Sequence, residues 1–311
     1  MNVFINSERR LRAGWRVLLQ FILFFVVLIA AQLVQSPAAQ TSNPLGYMAG
    51  SLVYLAGMFL VITTVSRWID RREITDFGLR VDQGWWQDMA AGMAIGAFTL
   101  VAFAVIELTL GWVEFSTVPQ NPFNVAVLPA GLLALLNLTA VAFGEEITFR
   151  GYQIKNLAEG FCKGMGERVA IVVALVLTSA LFGMAHLLNP NAGLLSTFNV
   201  ALAGLLMGLG FVLTGRLALP LGFHIAWGFF EEFVFGYANS GQIPANSLLQ
   251  SSVTGPDLWT GGLFGPEGGL LILLFLVLDI LLVVLYGKRG DRNPRIQTEL
   301  AVYRKGGTSP V

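Results

Sequence analysis

Residues 143–151 read FGEEITFRG. Two adjacent carboxylates and an arginine stand at the end of a long apolar run, where an unpaired charge is costly. On a helix, residues four apart share a face, so Glu146 and Arg150 can pair, with the acid before the base as the helix prefers. Glu145 is turned about 100° away, so its carboxylate can face something else. The doublet divides into one restrained carboxylate and one available one. The chain holds two histidines, and both fall in apolar runs: His186 in LFGMAHLLNP and His224 in PLGFHIAWGFFEE. One carboxylate with two imidazoles is the ligand set of a hydrolytic zinc site with an open position. The same groups also work without metal, Glu as general base for water and His as hydrogen-bond donor to an oxyanion. Either arrangement hydrolyses an amide with water admitted to a polar cavity, and the residues leave both open. FGEEITFRG alone reads equally as an ion cluster at a helix end; the two histidines make it a constellation.

Such residues need elements to hold them. Of the 311 residues, 55% are hydrophobic and 12% charged, about half the charged share of a soluble domain. The expected class is an all-α, polytopic membrane bundle forming a single integral domain over 1–311. A spanning helix needs about 20 mostly apolar residues, and eight runs qualify: about 17–35, 46–66, 88–113, 125–149, 169–188, 193–215, 217–238 and 269–287. They are hydrophobic all round, which indicates helices rather than barrel strands. Glycine-rich stretches such as AAGMAIGAF and GLLMGLGF allow close helix packing. Zero formal charge points to no nucleic-acid partner. The single cysteine, Cys162, excludes an internal disulfide and a cysteine-based metal cluster.

Lysine and arginine set orientation. They fall in the N-terminus (Arg9, Arg10, Arg12, Arg16), after span 2 (Arg67, Arg71, Arg72, Arg80), and from Arg150 to Arg168 with Lys155 and Lys163 between. Arg216 follows span 6, and Lys288, Arg289, Arg292, Arg295, Arg304 and Lys305 lie in the tail. Eight spans with both termini cytoplasmic put every one on the same side. The first run resembles a signal peptide followed by SPAAQ, but its apolar length exceeds the usual 7–15 residues of a signal core, so a retained span is expected. Residues 69–86 are polar and end in two tryptophans, which suits a membrane interface; a connecting loop is the plainer alternative.

The motif order resembles the CPBP family of intramembrane proteases, which includes CAAX prenyl endopeptidases of the Ras-converting type and bacterial Abi proteins. EEITFRG resembles the family's EExxxR motif, Phe182 and His186 its FxxxH, and His224 the start of its HxxxN or HxxxD; DFGLR at 76–80 resembles a segment upstream. The resemblance covers about 76–238. It implies that Glu145 activates water or binds metal and that Glu146 and Arg150 hold the site. It implies that His186 and His224 bind metal or polarise the scissile carbonyl. A zinc ion on Glu145, His186 and His224 is one implied cofactor; a metal-free glutamate mechanism is the other. Peptide or lipidated-protein substrates, contact with membrane lipid and a multi-pass place in a bacterial plasma membrane are the further implications; oligomeric state is not specified.

One position departs. Where the motif has Asn or Asp, this chain has Gly228, which offers no side chain to donate or accept. Glu231, seven residues after His224, shares its face and could occupy the vacated space, although Glu231 and Glu232 read more simply as a pair near the outer interface. The substitution motivates an alternative, a catalytically silent scaffold or bacteriocin-immunity-type protein of the same fold. A proton-relay transporter ranks lower because no paired repeat is visible. Glu107 and Asp279 read as helix-packing groups. Geometry sets a condition: a straight span 5 puts His186 too deep, at 1.5 Å per residue. The site closes only if span 4 runs past Arg150 toward Glu159 and NPNAG turns inside the protein, with Asn189 and Asn191 satisfying its backbone.

Overall fold

The computed structural model describes residues 3–40, 42–117, 122–288 and 296–303, and the side chains of these apart from 37–40. Arg289, Arg292, Arg295, Arg304 and Lys305 lie outside the described residues. The architecture is a helical bundle: α1 (Ala13–Gln40), α2 (Pro44–Thr64), α3 (Gln83–Thr109), α4 (Val127–Glu146), α5 (Lys155–Met165), α6 (Glu167–Ala185), α7 (Leu194–Thr214), α8 (Ala218–Gly228), the single turn α9 (Asp257–Thr260) and α10 (Leu270–Gly287). Among the described residues, seven helices are long and apolar enough to cross a membrane. The chain is a multi-pass integral membrane protein.

The eighth expected span differs from the rest. Residues 217–238 form α8, 11 residues, and a six-residue π turn, Phe229–Val234. It is too short for a full crossing and nearly every residue of α8 is buried, enclosed by α3, α4 and α7. A continuous apolar run marks burial without saying whether lipid or protein covers it, so the sequence could not separate this central helix from its neighbours.

Two glycines seat it. A Cβ on Gly92 of α3 would stand 2.1 Å from the Leu219 carbonyl oxygen, and one on Gly96 2.6 Å from that of Phe223. Gly222 answers from α8, where a Cβ would meet the Met89 oxygen at 2.2 Å. The two backbones touch, as small residues in membrane helices permit, and the contact fixes the rotation of α8 and so the direction of His224.

α4 does not end at Arg150. It passes through a buried π turn, Ile147–Ile154, into α5, giving one helical run of 39 residues, Val127–Met165. The condition on span 4 is met, and Glu145 lies near the middle of the run. The NPNAG segment also turns against protein: the Asn189 amide donates to the Ser240 carbonyl at 2.9 Å and Asn191 adopts φ 60°. Residues 69–86 connect α2 to α3. They form the end of a π turn, a 3-10 turn at Ile74–Phe77 and the start of α3, with Trp85 buried and Trp86 exposed.

The all-α expectation has one exception. β1 (Val113–Thr117) and β2 (Leu249–Val253) pair antiparallel, Val113 opposite Val253 and Thr117 opposite Leu249, joining the connections after α3 and before α9. At the other end of the bundle the charged segments gather. Arg10, Arg16 and Arg72 meet Asp70 and Glu159, the Tyr303 ring covers Arg10 at 3.3 Å, and Leu217 N–H donates to the Gly78 carbonyl at 3.0 Å. The described positive segments thus share one end, as the charge distribution requires.

Candidate active site

Glu146 is fully buried on the α4 face toward α8. Its Oε1 accepts from Arg150 Nη1 at 2.9 Å and pairs with His224 Nδ1 at 3.0 Å. Since a carboxylate only accepts, the His224 Nδ1 carries the proton of that bond. Arg150 Nη2 reaches the Gly204 carbonyl at 3.4 Å, and its guanidinium lies 4.3 Å over the Phe182 ring. The arginine sits in the buried π turn, a helix irregularity that recurs at functional sites. The Glu146–Arg150 pair therefore forms as the spacing requires and orients His224 as well.

Glu145 is the available carboxylate. Its Oε2 lies 3.9 Å from His224 Nε2, and the two side chains are 18% and 19% exposed, whereas that of Glu146 is 0%. A gap above 3.5 Å between polar atoms suits a bridging water. Beside them Tyr54 lies over Gly144: a Cβ there would stand 2.5 Å from the tyrosine hydroxyl, so glycine is what admits the ring.

His186 caps α6. Its Nδ1 bonds the Phe182 carbonyl at 2.8 Å and its ring meets the Phe182 ring at 4.8 Å. Phe182, buried, is thus the intermediary between Arg150 and His186. Glu145, Glu146, Arg150 and His224 form one directly bonded or facing group, and His186 is joined through an aromatic ring.

The candidate zinc ligands divide on chemistry and spacing. The hydrogen bonds on the two Nδ1 atoms leave both Nε2 atoms with lone pairs when neutral, as metal-bound imidazoles require. Among the described residues, however, no three His, Cys, Asp or Glu gather closely enough to hold one ion.

Glu231 does not fill the space beside Gly228. It accepts from Trp227 Nε1 at 3.0 Å and lies beside the Glu267 carboxyl. Glu267 lies before α10, and burial pushes its carboxyl above the usual range against the opposing hydrogen bonds from Glu231 and Ser240 N–H. The Gly228 position is packed by Leu138, whose Cδ2 would stand 2.7 Å from a Cβ, with Asn239 Nδ2 at 3.8 Å. Neither Glu267 nor Asn239 stood out in the sequence; the signal for Asn239 was the tight-turn composition of NSGQ. Glu107 bonds the Tyr237 hydroxyl at 2.7 Å and Asp279 accepts from Thr99 at 2.9 Å, the packing roles expected of them.

Residues 127–230 match a family model described as Type II CAAX prenyl endopeptidase Rce1-like. Glu145, Glu146, Arg150, His186 and His224 all lie within the match. Over this stretch, about a third of the chain, the protein is similar to the CAAX-protease family that the motifs pointed to. No curated protein and no solved structure matches it.

Proposed function

We propose that the protein is an intramembrane endopeptidase that hydrolyses a peptide bond in a membrane-tethered substrate, with a prenylated CAAX-type tail as the first substrate class. The observation that carries this is the half-open pair of Glu145 and His224, 3.9 Å apart, set in a bundle core where Glu107, Glu146, Glu231 and Asp279 are fully buried. A water donating one hydrogen to Glu145 Oε2 and the other to His224 Nε2 has its lone pairs turned toward a carbonyl carbon. Glu145 takes the proton as the water adds. Glu146, pinned by Arg150, holds the His224 tautomer that leaves Nε2 an acceptor. His186, with Nδ1–H on the Phe182 carbonyl, keeps its Nε2 as an acceptor. Zinc would polarise the carbonyl and acidify the water, but Glu145, His186 and His224, the candidate ligands, do not gather closely enough here to hold one ion.

The test is cleavage by purified protein of membrane-tethered peptides, prenylated and plain, beside Glu145→Gln, with and without chelator. Activity lost in the variant and indifferent to chelator supports the glutamate mechanism. Activity abolished by chelator and restored by zinc supports the metalloprotease. Equal cleavage by wild type and variant refutes the role of Glu145.

A further inference from the structure

A neutral imidazole has one N–H. His186 spends it on the Phe182 carbonyl and His224 on Glu146. The ionised Glu145 only accepts. Arg150 is occupied by Glu146, the Gly204 carbonyl and the Phe182 ring. These groups can take a proton from water, but they offer no donor to the oxygen on which negative charge builds as water adds. Such a donor is commonly the largest single contribution to acyl-transfer catalysis.

We propose that Asn239 supplies it, its side-chain N–H binding the oxygen of the scissile carbonyl and the oxyanion derived from it. Gly228 stands one turn beyond His224 on the same face of α8, and Asn239 Nδ2 lies 3.8 Å from where a side chain at Gly228 would begin. The amide donates one hydrogen to Glu232 Oε1 at 2.8 Å, which orients it and leaves the second hydrogen for a ligand. A tight turn presents it: Asn239 and Gln242 exchange backbone bonds of 2.9 Å, and Ser240 and Gly241 have φ of 47° and 80°, as a two-residue hairpin turn requires. The turn is pressed against the segment after His186. The Asn189 amide holds the Ser240 carbonyl, and a Cβ on Gly241 would fall 2.0 Å from the Pro190 oxygen. Asn239 is thereby held between the helix of His224 and the end of the helix of His186.

The inference rests on the peptidase reading. The water oxygen bonds to the carbonyl carbon as its proton passes to Glu145, and the carbonyl π pair becomes the oxyanion held by Asn239. As the tetrahedral carbon collapses, the C–N bond breaks and the departing amine takes the proton from Glu145.

The experiment compares Asn239→Ala, Asn239→Ser, Tyr54→Phe and Glu145→Gln on one peptide substrate, with a phosphinate analogue of it as inhibitor and a melting curve for each. Asn239→Ala should lower kcat on the order of 100-fold with KM nearly unchanged. It should weaken the phosphinate by the same factor and leave melting unaltered; Asn239→Ser, which keeps a donor, should recover part of the loss. A folded Asn239→Ala with wild-type kcat, beside an inactive Glu145→Gln, overturns the role of Asn239 alone. A kcat loss in Tyr54→Phe with none in Asn239→Ala assigns the donor to Tyr54 and overturns the proposal. An active Glu145→Gln overturns the peptidase reading beneath it.

Discussion

The molecule buries two groups of acids and arginines, and they are built differently. At the end that gathers the positive segments, Arg10, Arg16 and Arg72 face Asp70 and Glu159. Arg10 and Arg16 each reach both acids, and Glu159 takes all three arginines. The three arginine side chains are at most 1% exposed. The α4–α8 group holds one arginine, two glutamates and a histidine, with Glu145 and His224 nearly a fifth exposed. The first group knots together the N-terminal segment, the α2–α3 connection, α5 and, through Tyr303, the chain after α10. The second holds one acid rigidly so that another stays usable. Buried charge is common to both groups; what sets the second apart as the candidate site is a buried orienter beside an accessible partner.

The contrast is broken most directly by removing each accessible or enclosed acid in turn. Glu145→Gln should abolish turnover, a fall of 10³-fold or more on the order expected for a general base, while the melting temperature of detergent-purified protein stays that of wild type. Asp70→Asn should do the reverse. It strips Arg16 of its closest anion and should cost about 3–5 kcal/mol, seen as a lowered melting temperature, while the protein that remains folded keeps its kcat. A stable Asp70→Asn would place that group outside the load of the fold.

Glu146→Gln lies between the two. It keeps an acceptor for His224 but leaves Arg150 uncompensated in the core, so melting should fall by an amount equivalent to about 3 kcal/mol and kcat should fall with it. Loss of stability without loss of kcat in the folded fraction would reduce Glu146 to a member of the first kind of group.

The smallest expected effect is at a surface acid. Asp82 caps α3, accepting from Trp85 N–H at 2.8 Å. That bond first, and Arg216 second, hold its carboxyl below the usual range. A depressed folded pKa contributes stability above the unfolded value, lost as pH falls through the folded one. Asp82→Ala should therefore lower stability by about 1 kcal/mol or less at neutral pH, and the gap from wild type should close on acidification, as read by melting across that range.

The sequence by itself determined the class of the protein, its apolar spans and the five residues of the motifs. Run length against membrane thickness, two histidines in oily segments and the i, i+4 relation of Glu146 and Arg150 are local facts. Tertiary structure decided what depends on approach between distant segments. It showed that α8 is a central helix seated on the glycines of α3, because hydrophobicity alone does not name the covering surface. It carried α4 through a π turn to Met165, which no periodicity displays. It moved Glu231 away from Gly228 toward Trp227 and Glu267, and brought Asn239 into that space from a turn eleven positions further along the chain. A side chain's partners across the fold follow from packing, and spacing along the chain fixes only those one helical turn away.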